Sequence, residues 1–328
     1  MEKLVAQFPK HIADAIVIAK ESSFDQISSK DYSNIVVCGM GGSGIGGKLV
    51  AKWFENEAKV PIVLVQEYAV PAFVGKNSLV IGSSYSGNTE ETMSAIKHAH
   101  SKGATICGIT SGGELFKFCK ENNYEVVKVP GGNPPRAMLA FSVVQLINIL
   151  AKANIISKES LEKVDRCRHL LNKELIEIKD KARSLAEFAY KKQLITYSSA
   201  SNEAIALRCR QQINENAKQL SSHNVIPEMN HNELVGWAGG SDDFATLFLS
   251  SQFLSERVKL RFEINKKIIG DKTPHIMELV PKGDSEIEET FYLIHIIDWA
   301  SVYLAEKNKV DVVEVKVIDY LKGELSKA

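Results

Sequence analysis

Between residues 34 and 152 the chain alternates two kinds of apolar pattern. Short runs rich in β-branched residues occur at Asn34–Cys38 (NIVVC), 61–65, 78–81, 104–109 and 124–129, and they read as strands. The segments 44–54, 88–100 and 115–121 carry helical spacing, and 136–152 is a long apolar helix. Continuous apolar strands separated by helices specify βαβ units, and so a parallel sheet buried on both faces.

The pattern changes at residue 153. Residues 157–193 are charged and helix-rich, as solvated helix faces are, and they separate a subdomain 1–153 from a subdomain 154–328. Beyond them, 194–198 leads into a helix 202–219, Phe244–Leu249 into a helix 255–268, and 275–280 into Glu286–Lys307. The stretch 221–229 is polar and reads as irregular. The tail 313–327 reads as a helix with Val317, Leu321 and Leu325 on one face. The halves are a degenerate duplication. LITYSSASNEAIALRCR follows the plan of IVVCGMGGSGIGGKLVAKW, and FATLFLSSQFLSERVKLRFEINKK that of SLVIGSSYSGNTEETMSAIKHAHSK. The second copy lacks the glycines and the hydroxyl cluster. The first half is therefore expected to bind the ligand, and the second to complete the site.

Composition agrees with two globular domains: 328 residues, 45% apolar and 24% charged. Lys+Arg and Asp+Glu number 40 each, so the basic excess of a nucleic-acid clamp is absent. A local pocket for a small anion stays open. No apolar run reaches the roughly 18 residues of a membrane span. The start, MEKLVAQFPKHIAD, has no apolar signal core. Five scattered cysteines without a CxxC pair point to reduced thiols in a cytoplasmic protein. His98, His100, His169 and His295 lie in helical segments without ligand spacing, so no metal site is expected.

Two loops carry the chemistry. Residues 39–47 (GMGGSGIGG) lie between a strand and a helix, where glycines let backbone N–H groups approach an anion. Gly39, Gly41 and Gly44 also satisfy GxGxxG, with Glu67 placed as a ribose-binding acid, so a nicotinamide-dinucleotide enzyme is a rival reading. Residues 83–92 (SSYSGNTEET) follow another strand and open another helix. An ordinary helix cap needs one hydroxyl, whereas Ser83, Ser84, Ser86 and Thr89 all precede the acids. Two anion loops at adjacent strand ends favour a compact phosphomonoester over a dinucleotide.

GMGGSGIGG followed by SSYSGNTEET resembles a sugar-isomerase (SIS) domain. The whole chain resembles the bifunctional phosphoglucose/phosphomannose isomerase family. The resemblance implies an α/β fold of two doubly wound, parallel-sheet SIS-type subdomains, each a flavodoxin-like three-layer sandwich. It implies a sugar phosphate held by Ser43, Ser84, Ser86 and Thr89, with Gly42 in the glycine loop. Asn214-Glu215-Asn216-Ala217-Lys218 resembles the family's catalytic-acid motif, and Met229-Asn230-His231-Asn232-Glu233 its histidine motif. Gly132-Asn133-Pro134-Pro135-Arg136 resembles its arginine loop. Val317-Ile318-Asp319-Tyr320-Leu321-Lys322 resembles the tail helix that supplies a lysine, with Lys316 a nearby competitor.

Aldose–ketose isomerisation through a cis-enediol needs a base between C1 and C2, groups that open the ring, and positive charge beside the enediolate. The resemblance gives the base to Glu215, ring opening to His231 and Lys322, and the charge to Arg136. It implies a metal-free and cofactor-free isomerase of glucose 6-phosphate and fructose 6-phosphate. Mannose 6-phosphate is included because the enediol has lost C2 chirality. It also implies that His231 comes from a partner subunit, hence a homodimer with shared active sites. The alternatives are a non-catalytic sugar-phosphate-binding SIS regulator and an amino-sugar-phosphate isomerase or deglycase.

Overall fold

A computed structural model of the chain describes residues 1–325 and 327. Nine strands among them form two all-parallel sheets. The five-stranded sheet contains β1 (Asn34–Cys38), β2 (Ile62–Val65), β3 (Ser78–Ser83), β4 (Thr105–Thr110) and β5 (Glu125–Lys128), in the order β2-β1-β3-β4-β5. The four-stranded sheet contains β6 (Gln193–Ser199), β7 (Ser221–Ile226), β8 (Phe244–Leu249) and β9 (Ile276–Leu279), in the order β7-β6-β8-β9. The first order is that of flavodoxin-like doubly wound sheets, and the second repeats it one strand short. The α/β architecture expected from the apolar alternation is the one the chain adopts.

The chain divides into two compact units. One comprises Ala6–Lys173 and Lys282–Phe291, the other Met1–Val5, Glu174–Pro281 and Tyr292–Ala328. The boundary expected at residue 153 lies inside the first of these. The helix Ser160–Lys173, although highly charged, buries Ser160, Val164, Cys167 and Leu171, and it packs on the helices Phe8–Glu21 and Leu139–Lys152 of that unit. The helix Phe8–Glu21 buries Phe8, Ile12, Ala15, Ile16 and Ala19.

Burial explains the strands. Every residue of β1, β3 and β4 is buried, so the interior of each is continuously apolar rather than alternating. The helix Gly41–Trp53 lies so close to the sheet that a Cβ on Gly47 would stand 2.7 Å from Leu64 Cδ1. On the opposite face Gly82 looks at Ile96 and Leu115 of the helices Glu90–Ser101 and Gly113–Glu121.

One expectation fails outright. Residues 221–226 of the stretch read as irregular form strand β7, paired along its length with β6. It is an edge strand, so Ser222, His223 and Asn224 remain half-exposed and polar. The tail helix forms over Lys316–Leu325; its expected extension through Ser326 lies outside the described residues.

In the second unit a buried polar seam orients the helix Glu203–Ala217. Arg208 donates to both Asp298 carboxylate oxygens (3.0 and 2.7 Å), Gln212 to Asp298 Oδ1 (2.8 Å), and Asn216 to Ser301 Oγ (2.9 Å). Donors at four-residue spacing face acceptors on Glu286–Lys307, so the helix has one satisfied rotation about its axis.

Candidate active site

The two loops singled out in the sequence leave the neighbouring strands β1 and β3, where the strand order reverses. In open α/β sheets that switch point is where ligands bind. The loops meet closely: a Cβ on Gly39 would lie 2.9 Å from Ser83 O. At Gly87 the backbone is left-handed (φ +73°), and a Cβ would lie 1.9 Å from Gly112 O, so only glycine fits the turn.

The hydroxyls of the second loop are organised among themselves. Ser84 Oγ and Thr89 Oγ1 are 2.8 Å apart. Gly87 N donates to Ser84 Oγ (3.1 Å), and Asn88 N to Ser86 Oγ (3.2 Å). Thr89 occupies the N-cap position of the helix Glu90–Ser101, yet its side chain makes no capping hydrogen bond. The hydroxyl cluster therefore does not serve as an ordinary cap. It stands beside the positive end of the helix.

The arginine loop borders this cradle. Gly42 faces the turn Pro135–Ala137: a Cβ there would meet Pro135 O at 3.4 Å and Arg136 Cα at 3.5 Å. Arg136 and Ser43 are both buried. Asn133 N donates to Tyr85 OH (3.3 Å), which ties the arginine loop to the hydroxyl loop. A narrow cleft lined by Gly42, Ser43, Ser83, Tyr85 and Pro135 runs between them. Gly42, Ser43, Ser84, Ser86, Thr89 and Arg136 are thus gathered at one end of the first sheet.

Glu215, His231 and Lys322 belong to the other unit. Glu215 is half-buried in the last turn of Glu203–Ala217. Asn214 Oδ1 beside it accepts Ser221 N (2.8 Å), and left-handed Lys218 (φ +52°) ends the helix. His231 is exposed, at the end of the short turn Glu228–His231 that follows β7. The six residues of β7 lie between the two segments in the chain. Lys322 and Lys316 are both exposed on the tail helix, and neither is distinguished by its surroundings. Among the described residues no group of three or more His, Cys, Asp or Glu side chains is placed to hold a metal ion. No helix among them is long and apolar enough to cross a membrane.

Comparison with known proteins bears on this arrangement. Residues 178–325 match the family described as the bacterial phospho-glucose isomerase C-terminal SIS domain, and residues 27–123 match the SIS domain. The bifunctional phosphoglucose/phosphomannose isomerase of Aquifex aeolicus is 38% identical over 299 residues, covering 90% of this chain and 91% of that protein. The chain belongs to the bifunctional phosphoglucose/phosphomannose isomerase family. The member from Caldicellulosiruptor bescii is 34% identical over 336 residues, with 99% of both chains covered. Among solved structures, the C-terminal domain of glucosamine-fructose-6-phosphate aminotransferase from Francisella tularensis superposes with a TM-score of 0.75 at 14% identity. It covers 96% of this chain and 98% of that one, and the likeness is one of fold.

Some residues around the two loops are given no role by the sequence. Ser83 and Thr92 are buried, and their hydroxyls have no hydrogen-bond partner among the described residues. Ser83 stood within the hydroxyl run but reads as the last residue of a core strand. Tyr85 and Asn133 join two loops far apart in sequence, and no local pattern signals that.

Proposed function

We propose that the protein is an aldose–ketose isomerase that interconverts glucose 6-phosphate and mannose 6-phosphate with fructose 6-phosphate. The observation that carries this reading is the uncapped hydroxyl cradle Ser84–Ser86–Thr89 at the switch point, beside buried Arg136. Family membership supports the reaction class. In this reading Gly42, Ser43, Ser84, Ser86 and Thr89 hold the phosphate. Glu215 moves the proton between C1 and C2 through a cis-enediol, and Arg136 stabilises the enediolate. His231 and Lys322 exchange protons with the ring oxygen and the anomeric hydroxyl. Both aldoses give one enediol, so one base serves both epimers.

The working form in this reading is a cytoplasmic homodimer in which His231 acts in the partner's site. The separation of Glu215 from His231 by a full strand supports it. So do exposed apolar residues at helical spacing: Leu260, Ile264 and Ile268 on Glu256–Gly270, and Val317, Leu321 and Leu325 on the tail helix. All five cysteines are free and buried, which fits a reducing compartment.

Turnover of purified protein with each aldose phosphate, coupled to detection of fructose 6-phosphate, tests the function. Product from both substrates is the expected result. Binding without turnover would favour the regulator, and turnover confined to amino-sugar phosphates would favour the amino-sugar isomerase or deglycase.

A further inference from the structure

We propose that Glu233 is a positioning residue: clamped by Tyr197 and Asn224, its carboxylate fixes the turn that presents His231. The proposal rests on the reading of His231 as a ring-opening group.

The five residues Met229-Asn230-His231-Asn232-Glu233 are anchored on both sides of the histidine. Met229 is fully buried. Asn230 Nδ2 donates to Asn265 Oδ1 (2.7 Å), and Asn230 Oδ1 accepts from Arg261 Nη1 (3.2 Å). Asn232 Nδ2 donates to Glu228 Oε1 (3.1 Å), and Asn232 Oδ1 accepts the backbone N–H of Glu233. Glu233 accepts from Tyr197 OH at one carboxylate oxygen and from Asn224 Nδ2 (2.6 Å) at the other. Among the described residues, the His231 ring is the motif's polar side chain without such a tie, and it is exposed.

The clamp is built into the sheet. Tyr197 on β6 and Asn224 on β7 are register partners, so their side chains leave the same face. Trp237 Nε1 donates to Tyr197 OH (2.9 Å), which leaves the hydroxyl proton for Glu233. Tyr197 is fully buried, and burial, followed by the bond to Glu233, raises its pKa, so it remains a donor. Both donors are neutral and the carboxylate is the charged partner, so the two bonds are charge-assisted without an opposing cation. A histidine on an exposed turn wanders unless its backbone is held. Glu233 supplies the hold on the C-terminal side, two residues away.

The test is a double-mutant cycle in the full-length protein, using Glu233→Gln with and without His231→Ala, and reading kcat and KM for glucose 6-phosphate. The amide is isosteric but sets an NH2 group against Tyr197 OH or Asn224 Nδ2. In the otherwise wild-type chain, kcat is expected to fall by about tenfold to a hundredfold, as misplacement of a reacting group does. KM should stay within about twofold, because the phosphate cradle is elsewhere. In the His231→Ala background the same substitution should change kcat by less than about twofold, because the residue it positions is gone. Tyr197→Phe, which removes one donor of two, should give a smaller fall in kcat alone. Equal losses in both backgrounds would overturn the proposal, as would a rise in KM at constant kcat. If His231→Ala is impaired and Glu233→Gln is not, the proposal fails while the histidine reading stands. If His231→Ala retains full activity, the histidine reading fails and takes the proposal with it.

Discussion

Glu215 and His231 stand at opposite ends of one strand. Glu215 lies in the helical turn that Asn214 pins to Ser221 N, the first residue of β7. His231 lies five residues beyond Ile226, the last. The six residues of β7 span about 16 Å at the rise of a β-strand. In the proposed reading His231 acts in the partner's site. A mixture of strongly impaired Glu215→Gln and His231→Ala chains that exchanges subunits should regain about half the wild-type activity per heterodimer, by the count of intact sites. Continued inactivity after demonstrated exchange would exclude shared sites.

Ser86→Ala and Thr89→Val should each raise KM, and lower kcat if phosphate binding orients the reacting end. One lost hydrogen bond to a dianion costs about 1.5–3 kcal/mol, roughly tenfold to a hundredfold in kcat/KM. Ser84→Ala should behave likewise, because Ser84 Oγ also holds Thr89 Oγ1 and Gly87 N. Competition by inorganic phosphate should weaken in parallel. Unchanged kinetics and unchanged phosphate inhibition in all three would place the phosphate elsewhere.

Stability should fall in mild acid through His295. The residue is fully buried, and Trp299 Nε1 donates to its Nε2 (3.0 Å). Burial, the dominant cause, pushes the imidazole pKa down to about 4. The folded pKa is below the unfolded value near 6.5, so the unfolded chain binds the proton first. The contribution is complete above pH 6.5 and is lost as pH falls towards 4. Between pH 7.5 and pH 5 the loss is about 2 kcal/mol. Urea unfolding of wild type and His295→Gln at both pH values reads it as a difference between the two proteins. A variant with the wild-type pH dependence would contradict the assignment.

Isomerase activity should survive prolonged incubation with a chelator. The positive charge at the enediolate is assigned to Arg136, and no metal-ligand cluster occurs among the described residues. Loss of turnover in EDTA with recovery on adding zinc would contradict that assignment.

What the sequence made legible follows from range of interaction. Asn34–Cys38 and Phe244–Leu249 form over their expected bounds because near-complete burial writes an almost unbroken apolar run, and Glu286–Lys307 does so as a long helix buried along most of its length. The strand-to-helix loop carrying Ser84, Ser86 and Thr89 was legible because its glycines and serines are neighbours in the chain. Ser221–Ile226 was not, since an edge strand needs no apolar run. The Glu233 clamp was not either: Tyr197 is 36 residues from Glu233, and only the pairing of β6 with β7 brings them together. The helix Ser160–Lys173 misled for a related reason, since four buried positions are enough to attach a charged helix to the first unit.

The central claim is that Glu215 carries a proton between C1 and C2. Isomerisation of fructose 6-phosphate in D2O, followed by NMR of the aldose products, tests it most directly. The account predicts deuterium at C2 of both glucose 6-phosphate and mannose 6-phosphate, with the rate of incorporation in Glu215→Gln reduced by a factor on the order of 10² to 10⁴. Products that carry only protium at C2 would mean a hydride shift. Undiminished exchange in Glu215→Gln would mean that the base is another residue.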